Sequence, residues 1–474
     1  MSALGDDVLY RPVTELAFQV RGRKISSVDL TLAYLQRMKW FDSRLNAVVT
    51  ATSDLALRQA RAADAEVRRG RYRGLLHGIP YGAKDLFATA GIPTTWGAVP
   101  CRNQVFNYDA TVVRKLRDAG AVLTGKLAMV EFAGGLGYRS AGASLTGACR
   151  NPWNPARWAG GSSSGSGAAV AAGLVGFALG TETWGSILCP AAFCGVTGLR
   201  PTYGRVSRAG VMPCADTFDK VGPLARSAAD CRIVLEAIAG ADDDDHTAAS
   251  EPVQLARGSG NRASRLRAAL VADDFTVKGA EPEVKEAFGR AVGVLRSAGM
   301  RIEAVKLPEL PASEVAGTLI ALEAITNFEP FFRDGRVRQL KDPYAPYQPE
   351  INAEVSGADL VKAQRMRRTL QERMRDFFAT YDVIVAPNFL SVAPTIDSDL
   401  YRALPYADPL GAIGNACGLP AIALPCGFGR DHMPAGLQIV GPPWSEGLLL
   451  DLGELFQQRT EFHQQRPPLR STAR

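Results

Sequence analysis

Apolar residues recur at two different spacings along the chain. They fall at three- and four-residue intervals through residues 28–41, which follow a capping serine at Ser26 or Ser27, and again through residues 55–69. This spacing is that of a helix with one buried face. The first 70 residues are therefore predicted to form a helical segment.

From residue 78 onward, apolar runs of strand length alternate with helical stretches. In the run 78–87, GIPYGAKDLF, a strand is predicted to enter a turn, with Lys84 near its end. The further predictions up to residue 240 are helices over 111–120, about 167–173, about 190–195 and 227–239, and strands over 121–126 and about 174–181. This alternation is typical of an α/β sheet with helices on both faces.

The alternation returns near the C-terminus. The predictions there are strands over 264–271, 301–308, 382–387, 421–427 and 435–441, with helices over 281–298 and 411–418. Residues 310–380 differ, because long helices flank an aromatic, proline-bearing middle, and we interpret this part as a helical cap or insertion near the substrate entrance. No low-complexity linker divides the chain. We therefore expect one domain over residues 1–474, with its core in residues 78–240.

Composition and charge exclude several classes of protein. The net charge of +6 is mild, and the basic run over 362–375 lacks interleaved aromatic residues, so it predicts a solvated helix face rather than a nucleic-acid patch. The eight cysteines have no CxxC spacing, which indicates buried free thiols in a reducing compartment. The four histidines have no metal-ligand spacing. Without an apolar leader or a membrane-length apolar run, a cytoplasmic protein without membrane contact is expected.

The strongest candidate for chemistry is the stretch from Gly160 to Arg200. Ser162 and Ser186 lie in glycine-containing loops at the two ends of a loop–helix–strand–loop unit, which can bring its ends together. A serine hydroxyl needs a base, and none of the histidines lies in a suitable loop. A lysine can serve if burial keeps it neutral, and a second serine can relay the proton. The apolar flanks of Lys84 favour that role over an ordinary surface lysine.

Two other interpretations of the serine-rich loop compete with this one. A flexible linker is disfavoured, because a compact apolar helix and strand follow the loop directly. A phosphate-binding loop is disfavoured, because the lysine and the serine or threonine of GxxxxGK[ST] are missing.

Several motifs, in order, resemble those of the amidase signature family. They cover residues 78–87, 125–132, 151–187, 190–208 and 219–231, followed by NACGLPAIALPCGF and MPAGLQIVGPPW near the C-terminus. The resemblance implies a mixed, twisted sheet flanked by helices on both faces. It also implies hydrolysis of a C–N bond through an acyl-enzyme, without a cofactor or metal.

The resemblance also assigns roles to residues. Ser186 matches the nucleophile, Ser162 the relay serine that follows a cis peptide bond, and Lys84 the general base. Supporting hydrogen bonds are expected from Ser163 and Thr181. The oxyanion hole would use the N–H groups of Thr183, Trp184, Gly185 and Ser186. The resemblance also places Gly134 and Gly135 in a loop of the substrate pocket. Asn327 and Phe328 lie in the region expected to set specificity, and Met129 and Leu136 are further candidates for the pocket lining, with ordinary core packing as an equal alternative.

The sequence departs from the family pattern around the second serine. Trp184 replaces a glycine, Glu182 an aspartate and Leu188 an arginine, and Ser164 replaces a glycine in the first loop. Trp184 is therefore expected to form part of the pocket wall. Any ion pair between a carboxylate and an arginine that supports this loop must be lost or rebuilt. These departures bear on substrate class more than on catalysis, because all three catalytic positions are filled.

Three functions remain open at this point. The first is an amidohydrolase for a hydrophobic or aryl amide, extending to carbamates (urethanes) and esters, that acts with water as a monomer or homodimer. The alternative is the glutamine-hydrolysing A subunit of a tRNA-dependent amidotransferase, the only case in which nucleic acid would be a partner. The third, a non-catalytic binding relative, is disfavoured because the lysine and both serines are present.

Overall fold

The computed structural model describes residues 4–253, 255, 263–271, 280–404 and 408–469. Within them, eleven strands form one sheet. The strands are β1 Val48–Ala51, β2 Pro80–Lys84, β3 Val122–Leu127, β4 Phe177–Glu182, β5 Thr197–Arg200, β6 Lys220–Ala225, β7 Arg267–Val271, β8 Arg301–Val305, β9 Val383–Pro387, β10 Ala421–Phe428 and β11 Pro434–Val440. One continuous sheet makes the described chain a single α/β domain, as predicted.

The sheet is mixed. Its strand order is β1-β3-β2-β4-β6-β5-β10-β11-β9-β7-β8. Strand β2 runs parallel to both β3 and β4, and β7 runs parallel to both β8 and β9, whereas the other neighbours are antiparallel. The end of β2 therefore lies beside the end of β4, which leads into the 183–186 loop.

Helices cover both faces of the sheet. They are α1 Asp6–Leu9, α2 Val13–Arg21, α3 Ser27–Leu45, α4 Ser53–Arg68, α5 Thr111–Asp118, α6 Ser164–Ala171, α7 Leu188–Cys194, α8 Ala228–Ile238, α9 Pro282–Ser297, α10 Ala312–Asn327, α11 Glu329–Arg333, α12 Gln348–Ile351, α13 Gly357–Phe378, α14 Leu400–Ala403, α15 Gly411–Ala416 and α16 Glu446–Gln457. Alternate residues of a strand enter different apolar clusters: Phe177 and Leu179 pack in one and Ala178 in the other. This is the two-sided burial expected of an α/β sheet.

The first 70 residues are not wholly helical, because β1 lies within them and pairs with β3 at the edge of the sheet. Helix α3 is capped by the Ser26 side chain and is followed by Asn46, which adopts a left-handed φ of 54°. The Asp42 carboxylate then accepts the N–H groups of Ala47 and Val48, which turns the chain toward the sheet. No short-range pattern in the sequence predicts that side-chain acceptor.

Helix α6 is buried along its whole length. Its small residues are required by the space, since a Cβ on Gly165 would overlap the backbone of Ala47 and Ala128. The Cβ of an alanine at Gly167 would lie only 2.8 Å from the carbonyl oxygen of Pro190. Small side chains therefore allow α6 to press against β3 and α7, which keeps the two serine loops close.

The basic run on α13 differs from the prediction at one residue. Arg367 is half-buried, with its guanidinium 4.2 Å from the ring centre of Phe218, and its Nε donates to the carbonyl of Ala416 at 2.7 Å. Leu370 and Met374 on the same helix are buried. The helix thus docks by one face and leaves the rest of the basic run in solvent. None of the helices in the described ranges is long and apolar enough to cross a bilayer.

Candidate active site

Lys84 is the last residue of β2 and its side chain is fully buried. Its Nζ lies 2.7 Å from Ser162 Oγ, 2.9 Å from Thr181 Oγ1 and 3.4 Å from the carbonyl oxygen of Thr181. Burial lowers the pKa of Lys84 from 10.5 to about 7, against the opposing effects of Cys214, Asp219 and Glu182. A substantial fraction of Lys84 is therefore neutral near neutral pH.

The two serine loops meet. The N–H of Ser163 donates to the carbonyl of Ser186 at 3.3 Å, and the Ser163 hydroxyl donates to the carbonyl of Thr181 at 3.1 Å. The peptide bond between Gly161 and Ser162 is cis, as the family resemblance implies. Ser162, Ser163, Thr181 and Lys84 thus form one buried, hydrogen-bonded group, and the backbone of Ser186 is attached to it.

The 183–186 loop tolerates its tryptophan without backbone strain. Gly185 has a φ of +81°, in the left-handed region that favours glycine, whereas Trp184 is not among the described residues with positive φ. The Trp184 side chain is 37% exposed and stands in the wall of a cavity. Within the described residues, no hydrogen bond of the chain uses the N–H groups of Trp184, Gly185 or Ser186.

The acid–arginine support of this loop is rebuilt rather than lost. Glu182 Oε2 accepts the N–H groups of Ile187 and Leu188 at 2.9 and 3.0 Å. Its Oε1 lies 2.7 Å from a guanidinium nitrogen of Arg200, and both side chains are fully buried. Burial alone would raise the pKa of Glu182, but Arg200 holds it below the ordinary value. The carboxylate therefore fixes the start of α7 directly after Ser186.

Asp219 supports the other side of the loop. Its carboxylate accepts the hydroxyl of Thr183 and the N–H groups of Cys214 and Ala215. Burial raises the pKa of Asp219. Sequence reasoning missed both Arg200 and Asp219, although both lie in the matched motifs, because their partners in the loop are 18 and 36 positions away.

A cavity of about 710 Å³ opens at the loop. Of the predicted residues, Gly134, Gly135, Thr183, Trp184, Gly185 and Ser186 line it. The rest of its wall consists mainly of apolar or small residues. Among the described lining residues, Asp408 has the only charged side chain. Asp408 Oδ1 accepts Gln438 Nε2 at 2.7 Å, whereas Oδ2 has no partner within the described chain.

Four residues predicted for the pocket lie elsewhere. Met129 is buried against Gly97, and Leu136 is buried in an apolar cluster. Phe328 stacks on Phe132 with ring centres 4.3 Å apart. Asn327 donates through Nδ2 to the carbonyl of Cys214 and to Asp216. These four side chains are therefore not part of the described cavity lining, which their sequence positions did not reveal.

No group of three or more histidine, cysteine, aspartate or glutamate side chains in the described ranges is arranged to hold a metal ion. All eight cysteines are buried and unpaired, as predicted. Burial raises the pKa of each cysteine thiol well above its ordinary value. A thiolate nucleophile is therefore disfavoured at this site, although Cys189 and Cys214 line the cavity.

The fold, one mixed sheet covered by helices on both faces, is that of an α/β enzyme of the amidase class. A family model described as Amidase matches residues 29–450. The chain belongs to the amidase signature family, which confirms the resemblance of its motifs.

Individual relatives cover nearly the whole chain. The A subunit of the glutamyl-tRNA(Gln) amidotransferase of Acinetobacter baumannii is 39% identical over 480 residues, which covers 96% of this chain and 97% of the relative. The solved peptide amidase of Stenotrophomonas maltophilia is 32% identical with a TM-score of 0.84, covering 97% of this chain and 98% of that one. The solved A subunit of the corresponding amidotransferase of Thermotoga maritima is 28% identical with a TM-score of 0.82, and the match covers 96% of both chains.

Proposed function

We propose that the chain is an amidase that forms an acyl-enzyme on Ser186. Neutral Lys84 takes a proton through Ser162 while the Ser186 oxygen attacks the substrate carbonyl. The C–N bond then breaks as the proton returns by the same route to the leaving nitrogen, and water releases the acid by the reverse sequence.

The observation that carries this proposal is the buried contact between Lys84 and Ser162. A lysine in water is protonated at neutral pH and cannot accept a proton, but burial lowers the pKa of Lys84 to about 7. Its 2.7 Å separation from Ser162 Oγ is suited to direct proton transfer. Thr181 supports the pair by holding Lys84 Nζ at 2.9 Å.

The oxyanion hole is proposed to consist of the backbone N–H groups of residues 183–186. Preorganised donors are effective in catalysis because they need no rearrangement as charge develops. Glu182, which holds the residues after the loop, and Asp219, which holds Thr183 at its start, supply that rigidity. Trp184 adds a large apolar wall beside the same donors.

The cavity wall favours an uncharged amide of aryl or apolar character. Among its described residues there is no lysine or arginine to pair with a substrate carboxylate. Carbamates and esters carry the same carbonyl and are expected as further substrates. Ser313, Ile320 and Gln348 line the cavity as well, which supports the assignment of residues 310–380 as a cap near its entrance.

A second candidate is the glutamine-hydrolysing subunit of a tRNA-dependent amidotransferase. The names of the relatives matched at 38–39% identity favour this candidate over the first. One feature of the cavity also suits it, because Asp408 in the described lining supplies a carboxylate that can pair with the α-ammonium group of glutamine. The wall counts against it, since the described lining offers no cation for the α-carboxylate of glutamine.

The test is turnover by the purified chain alone, with an anilide, the matching aryl carbamate and L-glutamine. Cleavage of the anilide that is lost in Ser186→Ala supports the first candidate. Glutamine hydrolysis without anilide cleavage supports the second. Ser164→Ala is the matched control, because this neighbouring serine occupies a position where the family has glycine, and it is expected to keep its activity.

A further inference from the structure

Tyr138 brings a phenol to the cavity beside both serine loops. It lines the cavity together with Gly161 and Ser186. Its hydroxyl lies 2.8 Å from where a Cβ on Gly161 would stand, directly before Ser162. The hydroxyl therefore lies beside the backbone that immediately precedes Ser162.

The phenol is held firmly in that position. Its ring forms a T-shaped pair with Trp158, with ring centres 6.0 Å apart and planes at 72°. Its ring passes so close to Gly134 that a Cβ there would overlap it. The N–H of the next residue, Arg139, donates to Asp342 Oδ2 at 2.9 Å. A group fixed on three sides can act as a preorganised hydrogen-bonding partner.

The phenol stays protonated at working pH. Burial raises the pKa of Tyr138 well above its ordinary value, and hydrogen bonding with the Ser186 side chain opposes that rise only in part. A protonated phenol is neither base nor nucleophile here. It donates one hydrogen bond and accepts others through its oxygen.

Amide cleavage requires a reorientation of the leaving nitrogen that has no counterpart in ester cleavage. As the nitrogen of a secondary amide becomes tetrahedral, its lone pair must turn toward the proton donor and its N–H must turn away. An acceptor placed beside that N–H stabilises this arrangement in the transition state. The leaving oxygen of an ester has no such hydrogen.

We propose that the Tyr138 oxygen accepts the N–H of the leaving nitrogen and thereby directs its lone pair toward Ser162. Tyr138 keeps its own proton throughout: the C–N bond breaks, and the nitrogen takes its new proton from Ser162, which is resupplied by Lys84. This inference rests on the proposed mechanism and adds a catalytic residue that contacts the substrate and favours amides over esters.

The test compares Tyr138→Phe with the unaltered protein on a secondary anilide and on the aryl ester of the same acid. The measured quantity is kcat/KM, which covers the steps up to acylation for both substrates. The substitution is expected to lower the anilide value about tenfold, the effect of one hydrogen bond, and to leave the ester value within about twofold. The matched control is Tyr108→Phe, which removes an exposed phenol hydroxyl outside the described cavity lining.

Equal losses on anilide and ester, or no loss on either, would overturn the role of Tyr138. The amount of leaving group released in the first, rapid turnover of the ester gives the number of folded sites in each preparation. A variant that fails to fold is therefore recognised by a small burst. Failure of the proposed mechanism looks different, because then Ser186→Ala keeps its turnover or the unaltered protein cleaves neither substrate.

Discussion

Replacing Lys84 by methionine should abolish activity and also remove a pH-dependent cost of folding. In the folded protein the pKa of Lys84 is about 7, whereas in the unfolded chain it has its ordinary value of 10.5. The unfolded state therefore binds more protons between these two pH values, and the stability of the unaltered protein rises with pH across this window. At about 1.36 kcal/mol per pKa unit, the full difference is about 5 kcal/mol.

The methionine side chain does not titrate, so K84M lacks this rise. Its stability relative to the unaltered protein should be about 5 kcal/mol more favourable below about pH 7 than above about pH 10.5. K84M also loses the hydrogen bonds to Ser162 and Thr181. Each loss lowers its free energy of unfolding by about 1 kcal/mol at every pH, so the pH dependence of the difference between the two proteins is unchanged. The assay is urea unfolding of both proteins at a series of pH values.

Lys126, a second buried lysine, serves as the control for removing a buried ammonium group. Lys126 Nζ lies 3.3 Å from Asp85 Oδ1, and both side chains are fully buried. Lys126→Met should destabilise the protein, because it leaves a buried carboxylate without its partner. If the stabilities of K84M and the unaltered protein ran parallel from about pH 6 to about pH 10.5, Lys84 would not be the perturbed base assigned here.

Three further outcomes follow from the same geometry. The value of kcat/KM should rise about tenfold per pH unit below about pH 7 and then level off, because only neutral Lys84 accepts a proton; a flat pH profile would contradict this. Arg200→Leu should lower the free energy of unfolding by about 3–5 kcal/mol, because the buried Glu182 carboxylate loses the guanidinium that offsets its charge. Arg200→Leu combined with Glu182→Gln should recover part of the loss in the same urea assay. Trp184→Gly should raise KM for a bulky anilide about tenfold and change KM for a small aliphatic amide little, because an apolar wall is lost; an equal effect on both substrates would show that Trp184 does not contact the aryl group.

The parts of the fold that short-range pattern controls could be predicted from the sequence. The alternation of apolar runs indicated the α/β sheet with helices on both faces. The apolar flanks of Lys84 indicated burial, and the structure buries it completely. Each of these features depends on residues within a few positions of one another.

What the sequence did not reveal depends on contacts between distant residues. Arg200 replaces the arginine missing at Leu188, but only the sheet brings it to Glu182. Phe328 has the same aromatic character as a pocket residue, yet it stacks on Phe132, because the direction of a side chain depends on how its helix docks. Tyr138 lies in a loop without periodicity, and its position follows from Trp158 and the cap segment.

The most direct test of the central claim is the mass of the protein trapped during turnover of a slow aryl carbamate. One carbamoyl group per chain is expected, located on Ser186 by peptide mapping, absent in Ser186→Ala and formed far more slowly in Ser162→Ala. Ser164→Ala should label at the rate of the unaltered protein. A carbamoyl group on another residue, or full-rate turnover of the same carbamate by Ser186→Ala, would contradict it.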